Sequence, residues 1–148
     1  MADVTEQLKR VPLFSGLNQR QLKRLQRDFR ERRFKPGTSV VREGEMSGVG
    51  FFIITDGEAS VVVNGREVAR LGPGDHFGEF ALISEETRAA TVTAETQLHC
   101  LEITFWDFRR LAKASPDITW KLLQHVVRLL VDERLSRAHA FAQGSGPL

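Results

Sequence analysis

A short stretch of the sequence contains two side chains that together suit a phosphorylated sugar. Arg88 carries a planar guanidinium whose paired donors match two phosphate oxygens, a geometry that a lysine does not reproduce. Glu79 only accepts hydrogen bonds when it is ionised, so it suits a donor such as a sugar hydroxyl. Gly78, directly before the glutamate, lets the backbone approach a ligand closely. These residues predict a site for a small nucleotide, with phosphate at one end and ribose at the other.

The residues around this pair favour a binding site over a simple surface contact. Taken alone, Glu79 and Arg88 would form a surface ion pair worth less than about 1 kcal/mol. A short helix beginning near Glu79 or Phe80 would instead direct free N–H groups outward, and helix N-termini favour anions. The uncharged pair Ala89 and Ala90 after the arginine also fits a ligand site better than a charged surface.

The elements that must position these residues follow from the spacing of apolar residues and turns. Residues 3–30 are expected to be helical, because Asn18 and Gln21 have the pattern of a capping box and apolar residues then recur at helical spacing. Short β-like runs follow, and Asn64-Gly65 between two of them is a strong hairpin signal. Short strands separated by glycine turns at intervals of roughly 8–12 residues predict a sandwich or a barrel.

Helix returns in the C-terminal part of the chain. Ser115-Pro116-Asp117 supplies a cap, a proline at the first helical position and an acid in the first turn. The helix that they begin is expected to run to about residue 143 and to extend roughly 40 Å. Its apolar positions cover more than one narrow stripe, so it has surface for two partners, the β structure and one other. The tail, residues 144–148, is expected to be disordered.

Composition and charge narrow the class of protein. Residues 1–35 carry ten Lys and Arg against four Asp and Glu, and this basic segment is either a solvated helix face or a surface for nucleic acid or anionic lipid. The single cysteine, Cys100, excludes an internal disulfide and a four-cysteine metal site. No apolar run approaches the roughly 18 residues of a membrane span, and the first residues lack a signal-peptide pattern. A cytoplasmic location is therefore expected.

The stretch with the arginine and the glutamate resembles a known motif. The run Phe77–Ile83 (FGEFALI), followed by Arg88–Val92 (RAATV), closely resembles the phosphate-binding cassette of cyclic-nucleotide-binding domains. These domains occur in cyclic-AMP-dependent kinase regulatory subunits, gated ion channels and catabolite-activator-type regulators. The resemblance extends over most of residues 8–135. Residues 11–17 are similar to the segment before the family's N-terminal helix, and Asn64-Gly65 falls where a β-roll turn belongs.

The resemblance implies a role for each matching position. Arg88 would bind the exocyclic phosphate oxygens, and the backbone N–H groups of Ala81 and Ala89 would complete that cradle. Glu79 would accept a hydrogen bond from the ribose 2′-hydroxyl. The ligand-binding set implied by the resemblance is Gly78, Glu79, Phe80, Ala81, Arg88, Ala89 and Ala90.

The resemblance also favours cyclic AMP over cyclic GMP. Family members selective for cyclic GMP often have a threonine directly after the cassette arginine, whereas this chain has Ala89 there. Cyclic GMP is the alternative ligand. Adenine would be held by apolar contact, and the last helix would close over the base as a lid when ligand binds. The expected base and lid contacts are Val61, Val63, Leu129, Leu130 and Arg134.

Together, pattern and resemblance predict one α+β domain over residues 1–143. It consists of an antiparallel, jelly-roll-like β-roll flanked by N-terminal helices and a long C-terminal lid helix. The expected divisions are a helical segment at 1–30, the roll at 31–103 with the cassette at 77–92, and C-terminal helices at 104–143. The expected function is that of a non-catalytic cyclic nucleotide sensor without a metal or a cofactor, acting on an effector protein or forming a homodimer.

Three other interpretations of the sequence remain open at this point. A cupin-type jelly-roll enzyme would use His76, Glu79 and His99 as metal ligands, although two close histidines are expected there. A degenerate domain of the same fold would serve only as a protein-interaction module. The chain would alternatively be the sensor half of a truncated transcription regulator or channel. Only 13 residues follow Leu135, too few for a helix-turn-helix, so direct DNA binding by this chain is not expected.

Overall fold

The N-terminal part folds into two short helices rather than one long one. The computed structural model describes residues 3–45, 50–83 and 87–142. Helix α1 (Thr5–Arg10) and helix α2 (Gln19–Gln26) are separated by a 3₁₀ turn at Pro12–Phe14. The expected helix over 3–30 is interrupted because Val11, which precedes a proline, adopts an extended conformation. Asn18 and Gln21 form the predicted capping box at the start of α2, with bonds of 2.9 and 3.0 Å.

Eight strands follow, and the first of them begins at Arg30, one residue before the expected start of the roll. They are β1 (Arg30–Phe34), β2 (Ser39–Val41), β3 (Phe51–Asp56), β4 (Ala59–Val63), β5 (Arg66–Leu71), β6 (His76–Phe77), β7 (Thr91–Ala94) and β8 (Leu98–Ile103). They form two antiparallel four-stranded sheets, in the orders β1-β8-β3-β6 and β2-β7-β4-β5. Asn64 and Gly65 join β4 to β5 with φ angles of 51° and 77°, which confirms the predicted hairpin turn.

Strand β3 lies between two separate hydrophobic cores. Phe51 and Ile53 pack in a core formed with the helices, whereas Phe52 and Ile54 point to the interior of the roll. Both sets are buried because side chains alternate between the two faces of a strand. The sheet that carries the cassette strand β6 is therefore a wall shared by the helical layer and the roll.

The C-terminal part consists of helix α3 (Phe105–Ala114) and helix α4 (Pro116–Ala142). Thr104 caps α3 by accepting a hydrogen bond from the Asp107 N–H at 3.1 Å. Helix α4 packs against α3 and the 3₁₀ turn through buried Ile118 and Leu122, and every residue from 130 to 138 is exposed. No described helix combines the length and apolarity that a membrane span requires. The expected tail at 144–148 lies outside the described residues.

These elements confirm the expected fold class, an antiparallel β-roll with N-terminal helices and a long C-terminal helix. The roll presents β6 and the turn after it next to the segment that enters β7. The two parts of the predicted cassette are thereby brought to one side of the roll.

Candidate functional site

The cassette begins at the end of β6 with a sharp change of backbone direction. Phe77 stacks on Phe52 of the roll interior with ring centroids 4.9 Å apart, which anchors the strand. Gly78 has a φ of +88°, and a 3₁₀ turn follows at Glu79–Leu82. Leu82 is fully buried in the helical core and fixes the far end of the turn. The predicted short helix near Glu79 is thus present as a single 3₁₀ turn.

Gly78 is required at its position by contact as well as by conformation. A Cβ atom there would lie 2.6 Å from Nη1 of Arg88 and 2.9 Å from the carbonyl oxygen of Gly50. Both distances are shorter than real contacts allow. The glycine therefore lets the arginine head lie directly against the backbone of the cassette.

Arg88 is buried, with only 9% of its surface exposed. Its Nη2 donates to the carbonyl oxygen of Gly50 at 2.9 Å, while Nε has no hydrogen-bond partner among the described residues. Its main chain is held on both sides, because its N–H donates to the Glu45 carbonyl and its carbonyl accepts from Gly44, each at 2.9 Å. The guanidinium is therefore held in place, and within the described part of the chain its Nε keeps an N–H donor without a partner.

The charge of Arg88 is incompletely balanced within the part of the chain that the structure describes. Burial lowers the pKa of Arg88, and the negative charge of Glu102 opposes that effect. Glu102 is itself only 5% exposed; its Oε1 accepts from Nη1 of Arg32 at 2.6 Å, and its Oε2 is unpaired within the described part of the chain. A buried cation with a free donor is costly unless an anion joins it, so this position fits a phosphate.

Glu79 is the second polar group of the site and is held by a neighbour. Its Oε2 lies 2.9 Å from Nδ1 of His76, and the two side chains are 14% and 26% exposed. No ion pair joins Glu79 to Arg88 among the described contacts, so the surface-pair interpretation does not describe this structure. The cassette presents a cation and a carboxylate as two separate groups.

The other expected ligand-binding positions lie around these two. Ala89 is exposed and Ala90 is half-buried in the bend before β7. Phe80 and Ala81 belong to the 3₁₀ turn Glu79–Leu82. Val61 packs at the edge of the roll-interior core, and Val63 is half-buried close to the β4–β5 turn.

The expected lid residues are not assembled with the cassette in this structure. Leu129 is half-buried on α4, whereas Leu130 is 61% exposed and Arg134 is also exposed. Leu130 and Arg134 border a shallow depression whose described lining comes from α4 alone. Their contact with ligand stays a prediction that requires α4 to move.

A metal centre of the cupin type is not formed by the described residues. These contain no cluster of three or more potential His, Cys, Asp or Glu ligands. His76 is on β6 opposite Ile53, and His99 is on β8 opposite Asp56, so different parts of β3 separate them. His76 is engaged instead with Glu79.

Three contributors to the site were not expected from the sequence. They are the carbonyl of Gly50, the carboxylate of Glu102 and the His76 contact to Glu79. The glycine directly before the apolar run Phe51–Ile54 was a usable signal, since a Cβ there would collide with the backbone of β8. The Glu102 position follows only from strand pairing distant in sequence.

Comparison with known proteins agrees with this geometry. The sequence model of the cyclic nucleotide-binding domain family matches residues 31–115, more than half of the chain. A cAMP-dependent protein kinase regulatory subunit of Yarrowia lipolytica is 40% identical over 106 residues, which are 70% of this chain and 28% of that protein. A cyclic nucleotide-gated potassium channel of Mesorhizobium japonicum is 41% identical over 108 residues, 73% of this chain and 30% of that protein.

Solved structures show the same likeness in three dimensions. The N-terminal domain of a transcriptional regulator from Streptomyces coelicolor matches with a TM-score of 0.74 and 28% identity, over 88% of this chain and 94% of that one. The catabolite activator protein of Thermus thermophilus matches with a TM-score of 0.62 and 26% identity, over 84% and 61%.

The chain belongs to the cyclic nucleotide-binding domain family, as the cassette residues predicted. It spans less than a third of the length of the curated relatives that it matches. The relationship therefore covers a regulatory, ligand-binding domain rather than those whole proteins.

Proposed function

We propose that this domain binds cyclic AMP as a non-catalytic sensor, with Arg88 on the phosphate and Glu79 on the ribose. The observation that carries the proposal is the buried guanidinium of Arg88, which keeps a donor without a partner among the described residues and lies beside a glycine that leaves it room. In the same turn, Glu79 supplies an acceptor for a sugar hydroxyl. The backbone N–H groups at Ala81 and Ala89 would complete the phosphate cradle.

The choice of cyclic AMP over cyclic GMP rests on position 89. An alanine there offers no hydroxyl to a guanine amino group, and its side chain is exposed where a base would approach. Relatives named for each nucleotide match the chain, including a cGMP-dependent protein kinase of Toxoplasma gondii at 46% identity over 70 residues. Cyclic GMP is therefore expected to bind more weakly than cyclic AMP.

The output of the sensor would be a movement of α4 toward the roll. A ligand shifts a conformational equilibrium only by its differential affinity for the two states, so it must contact both the cassette and the helix. Leu130 and Arg134 are exposed here and free to make such a contact, with Val61 and Val63 on the roll side. Exposed apolar residues on α3 and α4 would then meet an effector protein or a second copy: Trp106, Trp120, Leu123, Val127 and Leu135.

No catalytic role is assigned to the domain. In the proposed site the polar groups would hold a ligand, and no described residue is arranged as a nucleophile with a base. A cytoplasmic location is part of the proposal, because Cys100 is a free, buried thiol. The alternative is a degenerate domain that keeps the fold as a protein-interaction module, which the same exposed apolar residues would serve.

Calorimetric titration of cyclic AMP and cyclic GMP into the chain tests the proposal. Arg88→Ala is expected to weaken cyclic AMP binding by roughly a hundredfold or more, because the phosphate would lose the two hydrogen bonds that a guanidinium fork makes, and each charge-assisted bond is worth about 1.5–3 kcal/mol. Arg70→Ala is the matched control, since Arg70 is an exposed arginine paired with Glu67 on β5. Equal affinities in the wild type and Arg88→Ala, or no binding of either nucleotide, would favour the interaction module.

A further inference from the structure

We propose that His76 is a positioning residue for ribose recognition, because it holds the carboxylate of Glu79 in the orientation that receives the 2′-hydroxyl. The inference rests on the proposed function and adds a second residue to the ribose end of the site. The contact that carries it is the 2.9 Å hydrogen bond between Nδ1 of His76 and Oε2 of Glu79.

The direction of this hydrogen bond follows from the acceptor. An ionised carboxylate can only accept, so the proton lies on Nδ1 of the imidazole. The bond occupies Oε2 and leaves Oε1 without a hydrogen bond to any described residue. One oxygen of Glu79 is therefore fixed, and the other is available to a hydroxyl donor.

The imidazole is well placed to act as a support because it is itself held. His76 is on β6, where its backbone pairs with Ile53 of β3. Its ring lies against Phe51, with ring centroids 5.7 Å apart and the planes tilted by 56°. Phe51 is completely buried, so the imidazole of His76 packs against a side chain that the core holds in place.

Because His76 already holds the carboxylate of Glu79, less side-chain conformational entropy is lost when ligand binds. A glutamate that moves freely between rotamers must be fixed when it receives a hydroxyl, and that lost freedom weakens binding. Glu79 is in the first position of a 3₁₀ turn next to Gly78, so its backbone alone does not restrict the carboxylate. His76 supplies the restraint from the neighbouring strand.

A purely structural role would have a different effect. If the His76–Glu79 bond only stabilised the turn, its loss would weaken binding of every cyclic nucleotide equally. If it orients the carboxylate, its loss would weaken only ligands that carry a 2′-hydroxyl. Comparing cyclic AMP with 2′-deoxy cyclic AMP separates the two roles.

The experiment is a calorimetric titration of both nucleotides into the full chain and its variants. The wild type is expected to prefer cyclic AMP by about tenfold or more, the effect of one hydrogen bond to a charged group. His76→Leu should reduce this preference to about a few-fold at most, with 2′-deoxy cyclic AMP binding unchanged. His76→Asn, which keeps a donor near the place of Nδ1, should restore most of the preference.

A double-mutant cycle completes the test. Glu79→Gln should also lower the preference, and His76→Leu should have no further effect on it in the Glu79→Gln background. If His76→Leu does not fold, His76→Val removes the same donor with a residue that suits a strand.

The possible outcomes distinguish the positioning role of His76 from the proposed function of the domain. An unchanged preference in His76→Leu, or an equal loss for both nucleotides, overturns the positioning role while the cyclic nucleotide function stands. A wild type that binds neither nucleotide removes the proposed function, and this inference with it. A preference that is lost in His76→Leu and regained in His76→Asn supports the role of His76.

Discussion

At the scale of a single residue, the environment of Arg88 in the free protein already favours an anion. Its guanidinium is buried, donates to one neutral carbonyl and is partly balanced by Glu102, which shares its charge with Arg32 at the surface. A cation that is desolvated in the free protein loses little further hydration when phosphate arrives. The free protein therefore carries part of the desolvation cost of binding in its folded structure.

Gly78 offers a direct test of the close approach between backbone and arginine. Gly78→Ala is expected to lower the free energy of unfolding by about 1–2 kcal/mol, because alanine is strained at a positive φ. It should also displace the Arg88 head, which lies 2.6 Å from the new Cβ, and weaken cyclic AMP binding. Thermal denaturation and calorimetry measure the two effects.

Gly74→Ala is the matched control for that substitution. Gly74 has a φ of +90°, but its added Cβ would meet nothing within 4 Å. It should therefore reproduce the loss of stability without the loss of affinity. If both variants bind cyclic AMP as the wild type does, contact between Gly78 and Arg88 is not needed for the site.

At the scale of elements, the sequence was sufficient to predict the features that depend only on neighbouring residues. The capping box at Asn18 and the turn at Asn64-Gly65 were predictable because each depends on residues within one turn. The residue types of Arg88 and Glu79 predicted a phosphate and a ribose contact, and these roles stay predictions. The His76–Glu79 bond was not predicted, because the rotamers that form it depend on how β6 packs against β3.

The N-terminal segment illustrates the opposite case. Apolar spacing alone indicated helix over 3–30, yet Pro12 divides this stretch into two short helices. The expected start of the roll at residue 31 lies within one residue of Arg30, where β1 begins. Its partner β8 lies about seventy residues further along the chain, so the sequence near residue 30 did not identify the strand that pairs with it.

Helix α4 is the element whose behaviour the proposed mechanism predicts. Adding cyclic AMP is expected to slow amide hydrogen exchange over residues 117–141, because closure would pack a helix whose described side chains are exposed from 130 to 138. Hydrogen exchange measured by mass spectrometry checks this, with Arg88→Ala as the control that should show no change. Unchanged protection in the wild type at saturating ligand would contradict movement of α4.

At the scale of the whole molecule, two cores share the wall formed by β3 and β8. The inner core of the roll contains Cys100, whereas Leu101 and Ile103 on the same strand belong to the helical core. Substitutions on one face of the wall change the packing of the roll, and those on the other face change the helical layer. The packing of the roll and the packing of the helical layer therefore depend on the same two strands.

Cys100 makes the stability of the inner core depend on pH. Burial raises the pKa of its thiol from 9.0 to about 12. The unfolded chain releases this proton above pH 9 while the folded protein keeps it, so the free energy of unfolding should fall as pH rises from 9 toward about 12. Urea denaturation across this range measures the slope.

Cys100→Ala serves as the comparison. It should be less stable at neutral pH, because a buried side chain is shortened, but its stability should fall less steeply above pH 9. In the wild type, a thiol reagent should label Cys100 only in denaturant. Parallel slopes for the two proteins, or rapid labelling of the native state, would contradict burial of the thiol.

The exposed length of α4 also has a mechanical consequence. Beyond Val126, which packs against the helical core, the helix extends about 24 Å to Ala142 at about 1.5 Å per residue. In the proposed mechanism this part would act as a lever arm, with its pivot where α4 packs on the 3₁₀ turn and α3. A rotation of about 10° at the pivot would move the far end by about 4 Å, by the same rise per residue. A small adjustment of the packing at Ile118 would thus become a larger displacement at the end of the helix.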